Sequence, residues 1–161
     1  RETVESLFSA GAAFVDVGGS GGTNFAEIEN KRRKQSLPFF NNWGIPTPIS
    51  ILEAASVSNG IPVIGSGGFS SSLDIAKGLA IGASAIGLAG FFLQILVEEG
   101  LDVLVEEIKN LHMELTMIMT ALGAKSISDL KKAPIIISGK TYHWLTQRGI
   151  DTKQYSNRKM K

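Results

Sequence analysis

The chain has 161 residues, 18 of them glycine, and its 16 Lys and Arg against 15 Asp and Glu leave a net charge of +1. That balance gives no basis for a nucleic-acid surface, and the absence of cysteine excludes disulfides, a thiolate nucleophile and cysteine-ligated metal. No apolar run is long enough to span a bilayer and no signal peptide is visible, so a cytoplasmic protein of single-domain length is expected.

The chain opens on Arg1 rather than Met and enters a helical pattern at once, which reads as a fragment or a processed chain. Thr3 to Ala10 forms a short helix with Val4, Leu7 and Phe8 on one side, stopped by Gly11. Ala12 to Val17 is a strand that carries Asp16 near its end. A glycine loop follows, Gly18-Gly19-Ser20-Gly21-Gly22-Thr23-Asn24, whose hydroxyl and amide groups could orient a bound group. Phe25 to Lys34 is a helix with acids first and bases last, the order its dipole favours. Its charge run is read as a solvated face, with a basic wall beside an anionic substrate as the functional alternative, where Arg32 or Arg33 would serve.

Gln35 to Pro48 is an irregular segment rich in aromatic residues. Phe39, Phe40 and Trp43 could cover a flavin or nucleobase, or pack the segment to a barrel wall, and packing is the favoured reading. Thr47 is expected to cap a helix that has Pro48 at its first position and runs to Val57, before Asn59-Gly60.

The most informative stretch is Ile61 to Gly90. Ile61 to Ile64 is a short, branched, buried strand, followed by Gly65-Ser66-Gly67-Gly68. Gly67 and Gly68 can take positive φ and let a ligand approach the backbone. Ser70, Ser71 and Ser72 offer N-cap oxygens to a helix from about Ser72 to Ile81. A further strand, Ala85 to Leu88, leads through Ala89-Gly90 into another helix. Backbone N–H groups at such strand-to-helix turns suit a phosphate. Each turn alone could be only a tight connection; two in succession with a serine-rich helix start favour phosphate.

Leu101 to Leu122 reads as one long amphipathic helix with Gly123 as its stop. Ser126 and Asp129 make a capping-box-like start for a short helix. Ile135 to Ser138 is extended, Thr141 to Gly149 gives a turn or two of helix, and the basic tail from Asp151 is expected to be loose. His112 and His143 are isolated, a packing or surface residue and a subunit-contact candidate, and make no metal site. Asp16 is read as orienting a neighbour, and Glu29 as pairing with Arg32 or Arg33.

Strands alternating with helices define an α/β fold with parallel pairing. Three strands are too few for a closed sheet. The expected architecture is the C-terminal part of a (β/α)₈ TIM barrel over residues 1–123, followed by a C-terminal helical extension and tail over 124–161. In that fold the phosphate site is built by the loops after the last two strands, where the Ile61 to Gly90 stretch would lie. A half-barrel would have two open sheet edges that invite another chain.

The series VDVGGSGGTNF, IENKRR, NWGIPTP, IGSGGFSSSLDIAKGLAIGAS and LAGFFL closely resembles type 2 isopentenyl-diphosphate isomerase over nearly the whole chain. The resemblance implies interconversion of isopentenyl diphosphate and dimethylallyl diphosphate on FMN, with Mg²⁺ and NADPH required and reduced flavin acting as acid–base catalyst. It implies that Gly67, Gly68, Phe69, Ala89 and Gly90 bind the FMN phosphate through their backbone and that Thr23 contacts FMN from the preceding loop. Members often carry isoleucine or leucine and then arginine or another polar residue after the paired glycines, where this chain has Phe69 and Ser70; a backbone contact survives that change and an arginine contact does not. The family's metal-binding glutamate, reacting-site glutamine, diphosphate-binding Arg-Lys and flavin-side lysine lie in its N-terminal half, outside these residues. The expected partners are therefore the prenyl diphosphates, that missing half and further copies of the chain as a homo-oligomer, and the chain alone is expected to be inactive.

Two other classes remain open. An FMN barrel of the hydroxy-acid oxidase or IMP dehydrogenase kind would need a His-Gly-Gly-Arg arrangement or a nucleophilic cysteine, and neither occurs. A non-catalytic phosphate-binding or assembly module would bind no flavin.

Overall fold

The computed structural model describes residues 1–159. In chain order the elements are α1 (Glu2–Ser9), β1 (Val15–Gly18), α2 (Phe25–Arg32), a single 3-10 turn (Pro38–Phe40), α3 (Thr47–Ala55), β2 (Val63–Ser66), α4 (Ser72–Ala80), β3 (Ala85–Gly87), α5 (Ala89–Glu98), α6 (Leu101–Ala121), α7 (Ile127–Leu130), α8 (Gly139–Gln147) and α9 (Lys153–Ser156). The three strands pair in parallel in the order β1-β2-β3, as the strand–helix alternation requires. The expected α/β architecture is the observed one.

The strands lie later than the apolar runs alone indicate. Ala12 donates its N–H to the Leu7 carbonyl (3.0 Å) and so belongs to the end of α1. Pro62 has no N–H for a ladder, though its carbonyl already accepts from Val15 N (3.2 Å). β2 instead runs on through Gly65 and Ser66. At Gly65 a Cβ would stand 2.6 Å from Ile51 Cδ1, so the missing side chain lets α3 pack against the strand.

The register joins Val15 to Val63, Gly18 to Ser66, Ile64 to Ala85 and Ser66 to Gly87. Alternation then sends Val17, Gly65 and Ile86 to one face, where α3 and α4 pack, and Asp16, Gly18, Ile64, Ser66, Ala85 and Gly87 to the other. The core lies on the helix side. Ile51, Leu52, Ile81 and Ala83 form one buried cluster with Leu145, Ile150 and Tyr155 from the end of the chain. Ala76, Leu79 and Ala80 of α4 meet Ala124 and Leu130, with Leu115, Ile118 and Met119 of α6 against them. A third cluster joins Val4 of α1 to Ala54 and Val63. Helices cover one face of a parallel sheet whose type ordinarily has both covered, the arrangement of a barrel wall whose second face is interior.

The tail is not loose. Tyr155 is buried, its carbonyl accepts from Ile135 N (3.1 Å), and Arg158 Nη1 donates to the Ala80 carbonyl (2.7 Å) while its guanidinium lies 4.4 Å from the Tyr155 ring centre. Burial of one aromatic ring outweighs the polar composition around it. Of the expected tail, residues 160 and 161 lie outside the described residues.

The feature that composition hides most completely is Glu53. It is 4% exposed in the middle of α3, where it accepts from Trp144 Nε1 (2.7 Å) and Arg148 Nε (3.1 Å) of the α8 segment. Burial by itself would push this carboxyl up. The indole hydrogen bond and the Arg148 charge outweigh it and hold the group below its ordinary value.

Candidate functional site

The carboxyl ends of β1, β2 and β3 bring three glycine-bearing turns side by side. Gly67 and Gly68 adopt φ of +92° and +82°, a region that costs residues with a Cβ about 1–2 kcal/mol. The space that side chains at these glycines would need is already taken by the β1 loop. A Cβ on Gly67 would lie 2.9 Å from the Gly19 carbonyl oxygen, one on Gly22 2.7 Å from Gly67 Cα, and one on Gly68 would collide with Gly21. The glycines therefore serve first a backbone-to-backbone fit between two loops. Thr47 stitches the same place. It is the first residue of α3 rather than its cap, because its hydroxyl donates to the Gly67 carbonyl (2.8 Å) and Pro46 takes the cap position.

What that fit leaves free is the N–H side of the turn. Among the described residues no acceptor is found for the N–H groups of Gly67, Gly68 or Phe69. The Phe69 ring turns away into the core cluster, against Gly78, where a Cβ would stand 2.8 Å from Phe69 Cε1, so that its backbone is what remains at the strand end. Beside it, α5 begins at Ala89 without any side-chain cap on Leu88. The N–H groups of Ala89 and Gly90 likewise have no acceptor among the described residues, both residues are exposed, and a Cβ on Gly90 would meet nothing within 4 Å. Ser66, one residue before Gly67, and Gly87, two before Ala89, are register partners. Two sets of unsatisfied donors at a strand end and a helix start thus adjoin, an arrangement fit for a phosphate.

The other predicted residues fall as follows. Thr23 is exposed at the end of the β1 loop, one residue past Gly22. Asn24 is fully engaged in structure: it caps α2 by accepting from Glu27 N (3.0 Å) and donates to the Asn41 carbonyl (2.7 Å). The charge run on α2 is a solvated face, with Lys31 paired to Glu27 (2.9 Å) and Arg32 to Glu29 (3.0 Å). Phe39, Phe40 and Trp43 do not pack against the wall. Their segment is tied to α2 by Asn30, which bonds the Leu37 backbone at both its N–H and its carbonyl (2.9 Å each), and to the β1 loop through Ser20 N and the Ile45 carbonyl (2.9 Å). The rings therefore meet one another in tilted pairs, with centroids 4.6 and 5.6 Å apart, and face outward.

Two polar contacts at the site escaped sequence reasoning in detail. One is Thr47 on Gly67. The other is Ser66 Oγ, which donates to Asp16 Oδ1 at 2.8 Å. Period-two alternation could have found the second, since it sends Asp16 and Ser66 to the same face of neighbouring strands. A groove of about 720 Å³ touches Gly67, Gly68 and Phe69 and runs along α4 towards Ile135 and Ile118, away from Ala89 and Gly90. It is mostly apolar and meets the free N–H groups only at its Gly67, Gly68 and Phe69 end.

A parallel sheet covered by helices on one face, with its strand-to-helix turns gathered at the carboxyl end, is the arrangement of part of a (β/α)-barrel protein. The model of the FMN-dependent dehydrogenase family matches residues 2–137, and the chain belongs to that family. It is 55% identical over 158 residues to an isopentenyl-diphosphate delta-isomerase of Geobacillus sp. (strain WCH70), and 54% identical over 158 residues to one of Bacillus cytotoxicus; each alignment takes 98% of this chain and 45% of the relative. The chain thus spans a little under half the length of the curated relatives it matches. Among solved structures, a lactate oxidase of Pediococcus acidilactici shares its fold with a TM-score of 0.66 at 24% identity, over 86% of this chain and 34% of that one. A GMP reductase of Trypanosoma brucei in complex with guanosine 5'-triphosphate does so with 0.64 at 24%, over 86% and 31%.

Proposed function

We propose that this chain is the cofactor-anchoring part of an FMN-dependent isomerase that interconverts isopentenyl diphosphate and dimethylallyl diphosphate. The observation that carries the reading is the pair of uncapped donor sets, Gly67-Gly68-Phe69 and Ala89-Gly90, at adjacent strand ends. The isomerase names of relatives at 54–55% identity support the substrate. The bound group would be FMN, its phosphate on those N–H groups and Thr23 reaching it from the β1 loop; when reduced, flavin supplies an acid–base group without net redox change. Gly68 and Gly90 keep side chains out of the approach. Phe69 contributes its N–H while its ring closes the core beneath.

Residues 1–123 would form the barrel part and 124–161 an extension, of which α7, α8 and α9 cover the outer face. Mg²⁺ does not fit these residues: among those described, no three His, Cys, Asp or Glu side chains lie together. Mg²⁺, NADPH and the proton-transferring groups are assigned to the other half of the barrel, which would pair with the free edges of β1 and β3. Activity would then need that half, in a cytoplasmic homo-oligomer.

The test is flavin binding to the purified chain, followed by fluorescence. FMN should bind tighter than riboflavin, because riboflavin lacks the phosphate. Equal affinity for both, or retention of neither, overturns the reading. Turnover of isopentenyl diphosphate by the chain alone, with reduced FMN and Mg²⁺, would overturn the assignment of the chemistry to the other half.

A further inference from the structure

Three aromatic rings project from the segment between α2 and α3. Trp43 is 76% exposed, Phe39 64% and Phe40 42%. Their backbone is fastened. Asn30 holds Leu37 at both its polar groups and donates to the Asn41 side chain, and Trp43 N donates to the Phe40 carbonyl (3.0 Å). The rings are therefore a preformed knob. Adjoining apolar rings kept in water are unfavourable, and a contact that covers them removes that cost.

Beside the knob lies the apolar groove between α3 and α4, with Ser20 and Pro46 in its lining. Gly44 joins the two features, since a Cβ there would stand 2.9 Å from Ser20 Cβ, and the Ser20 N–H is held by the Ile45 carbonyl (2.9 Å). Elsewhere in the lining, Leu73 and Ile136 are exposed. The groove lies over the middle of the sheet, so pairing at the β1 and β3 edges leaves it open. A cleft of about 720 Å³ takes a drug-sized apolar body, and an indole with two phenyl rings is one.

Knob and groove thus stand side by side on one face. A two-fold contact needs the same patch on both copies, each giving what the other receives. Charge does not oppose it, because the chain carries a net charge of +1 and the groove one acid and one base, Asp74 and Lys77. The exposed parts of the three rings amount to about 400 Å². Each copy gives one knob and receives another, so about 800 Å² per copy is covered, the ordinary size of a specific interface. From this self-complementarity we infer that the face is a self-association surface, on which Trp43, Phe39 and Phe40 of each copy of this chain enter the α3–α4 groove of the other. The inference gives the proposed homo-oligomer its contact face and does not depend on flavin, so the two readings fail separately.

Sedimentation of the purified chain at about 10–100 μM should give the mass of two 17.2 kDa chains. Trp43→Ala should weaken the dimer by about a hundred-fold or more, since each dimer loses two anchors. Leu73→Arg, on the exposed wall of the groove, should do the same. Mixing the two variants should restore a dimer, because that pair keeps one intact knob and one intact groove. This rescue also separates a lost contact from a lost fold. A wild-type chain that stays monomeric overturns the inference. So does an assembly that survives Trp43→Ala, which would place the contact at the sheet edges, and so do variants that remain apart on mixing.

Discussion

Replacing Glu53 by alanine removes a buried carboxylate on which the α8 segment is held. Its two bonds, from Trp144 Nε1 at 2.7 Å and Arg148 Nε at 3.1 Å, are of the charged kind that contribute about 1.5–3 kcal/mol each. Trp144 and Arg148 are both more than a third exposed, and water can replace part of what each loses. The expected loss is therefore about 2–3 kcal/mol in total. With a urea slope of about 1–3 kcal/mol/M, the unfolding midpoint should fall by about 0.7–3 M. Tryptophan fluorescence reads this well, because Trp144 leaves its partner on unfolding. Glu53→Gln keeps an acceptor for the indole and loses the charge, so about half the loss is expected. The pH dependence has a definite sign. The folded carboxyl titrates below its ordinary value, so its contribution is full above that value and disappears as pH falls through the folded one. Wild type and Glu53→Gln should converge in acid. A midpoint shift for Glu53→Ala under about 0.3 M, or a gap between wild type and Glu53→Gln that stays constant into the acid range, would refute the reasoning.

Gly68→Ala should destabilise by about 1–2 kcal/mol from positive φ alone, more with the Gly21 collision, whereas Gly90→Ala should be neutral or stabilise by up to about 1 kcal/mol; urea unfolding of the two side by side checks it. The same Gly90→Ala variant should bind FMN less tightly, since its methyl projects into the open space beside the free N–H groups. Tyr155→Ala should cost about 3–5 kcal/mol, as for other buried aromatic truncations, and a loss under about 1 kcal/mol would restore the view of a loose tail. Thr47→Val removes the hydroxyl held by Gly67 and should lower stability by about 1 kcal/mol, measurable as a shift in the same midpoint.

Local signals in this chain were readable where the answer is local. The α6 boundaries follow from apolar spacing and Gly123, and Ser71 and Ser126 cap α4 and α7 as their neighbours' spacing indicates, each accepting a backbone N–H three residues on. The turn glycines were recognised as special, but not for their first use: that Gly67 and Gly68 fit against Gly19, Gly21 and Gly22 depends on two loops nearly 50 residues apart. Glu53 gave no signal at all, since a glutamate in a helix is ordinary and its partners come 91 and 95 residues later. Thr47 was misread for a related reason. Its hydroxyl had a local use as a cap and a distant one on Gly67, and the distant one won. Phe39, Phe40 and Trp43 show the opposite failure, where residue type argued for burial and an amide network held the backbone so that the rings face out.

The separation between Glu53 and Trp144 bears on how the chain is made. Synthesis delivers the N-terminal part first, so α3 and the sheet emerge while the segment that satisfies Glu53 does not yet exist. During that interval the Glu53 carboxylate has neither its indole nor its guanidinium donor. Arrival of Trp144, Arg148 and Tyr155 ends the interval by pairing the charge and closing the cluster around Ile51 and Leu52 in one event. The α8 segment thus completes the fold: a product cut short before it lacks both hydrogen-bond donors to Glu53 and the Leu145, Ile150 and Tyr155 share of the buried cluster.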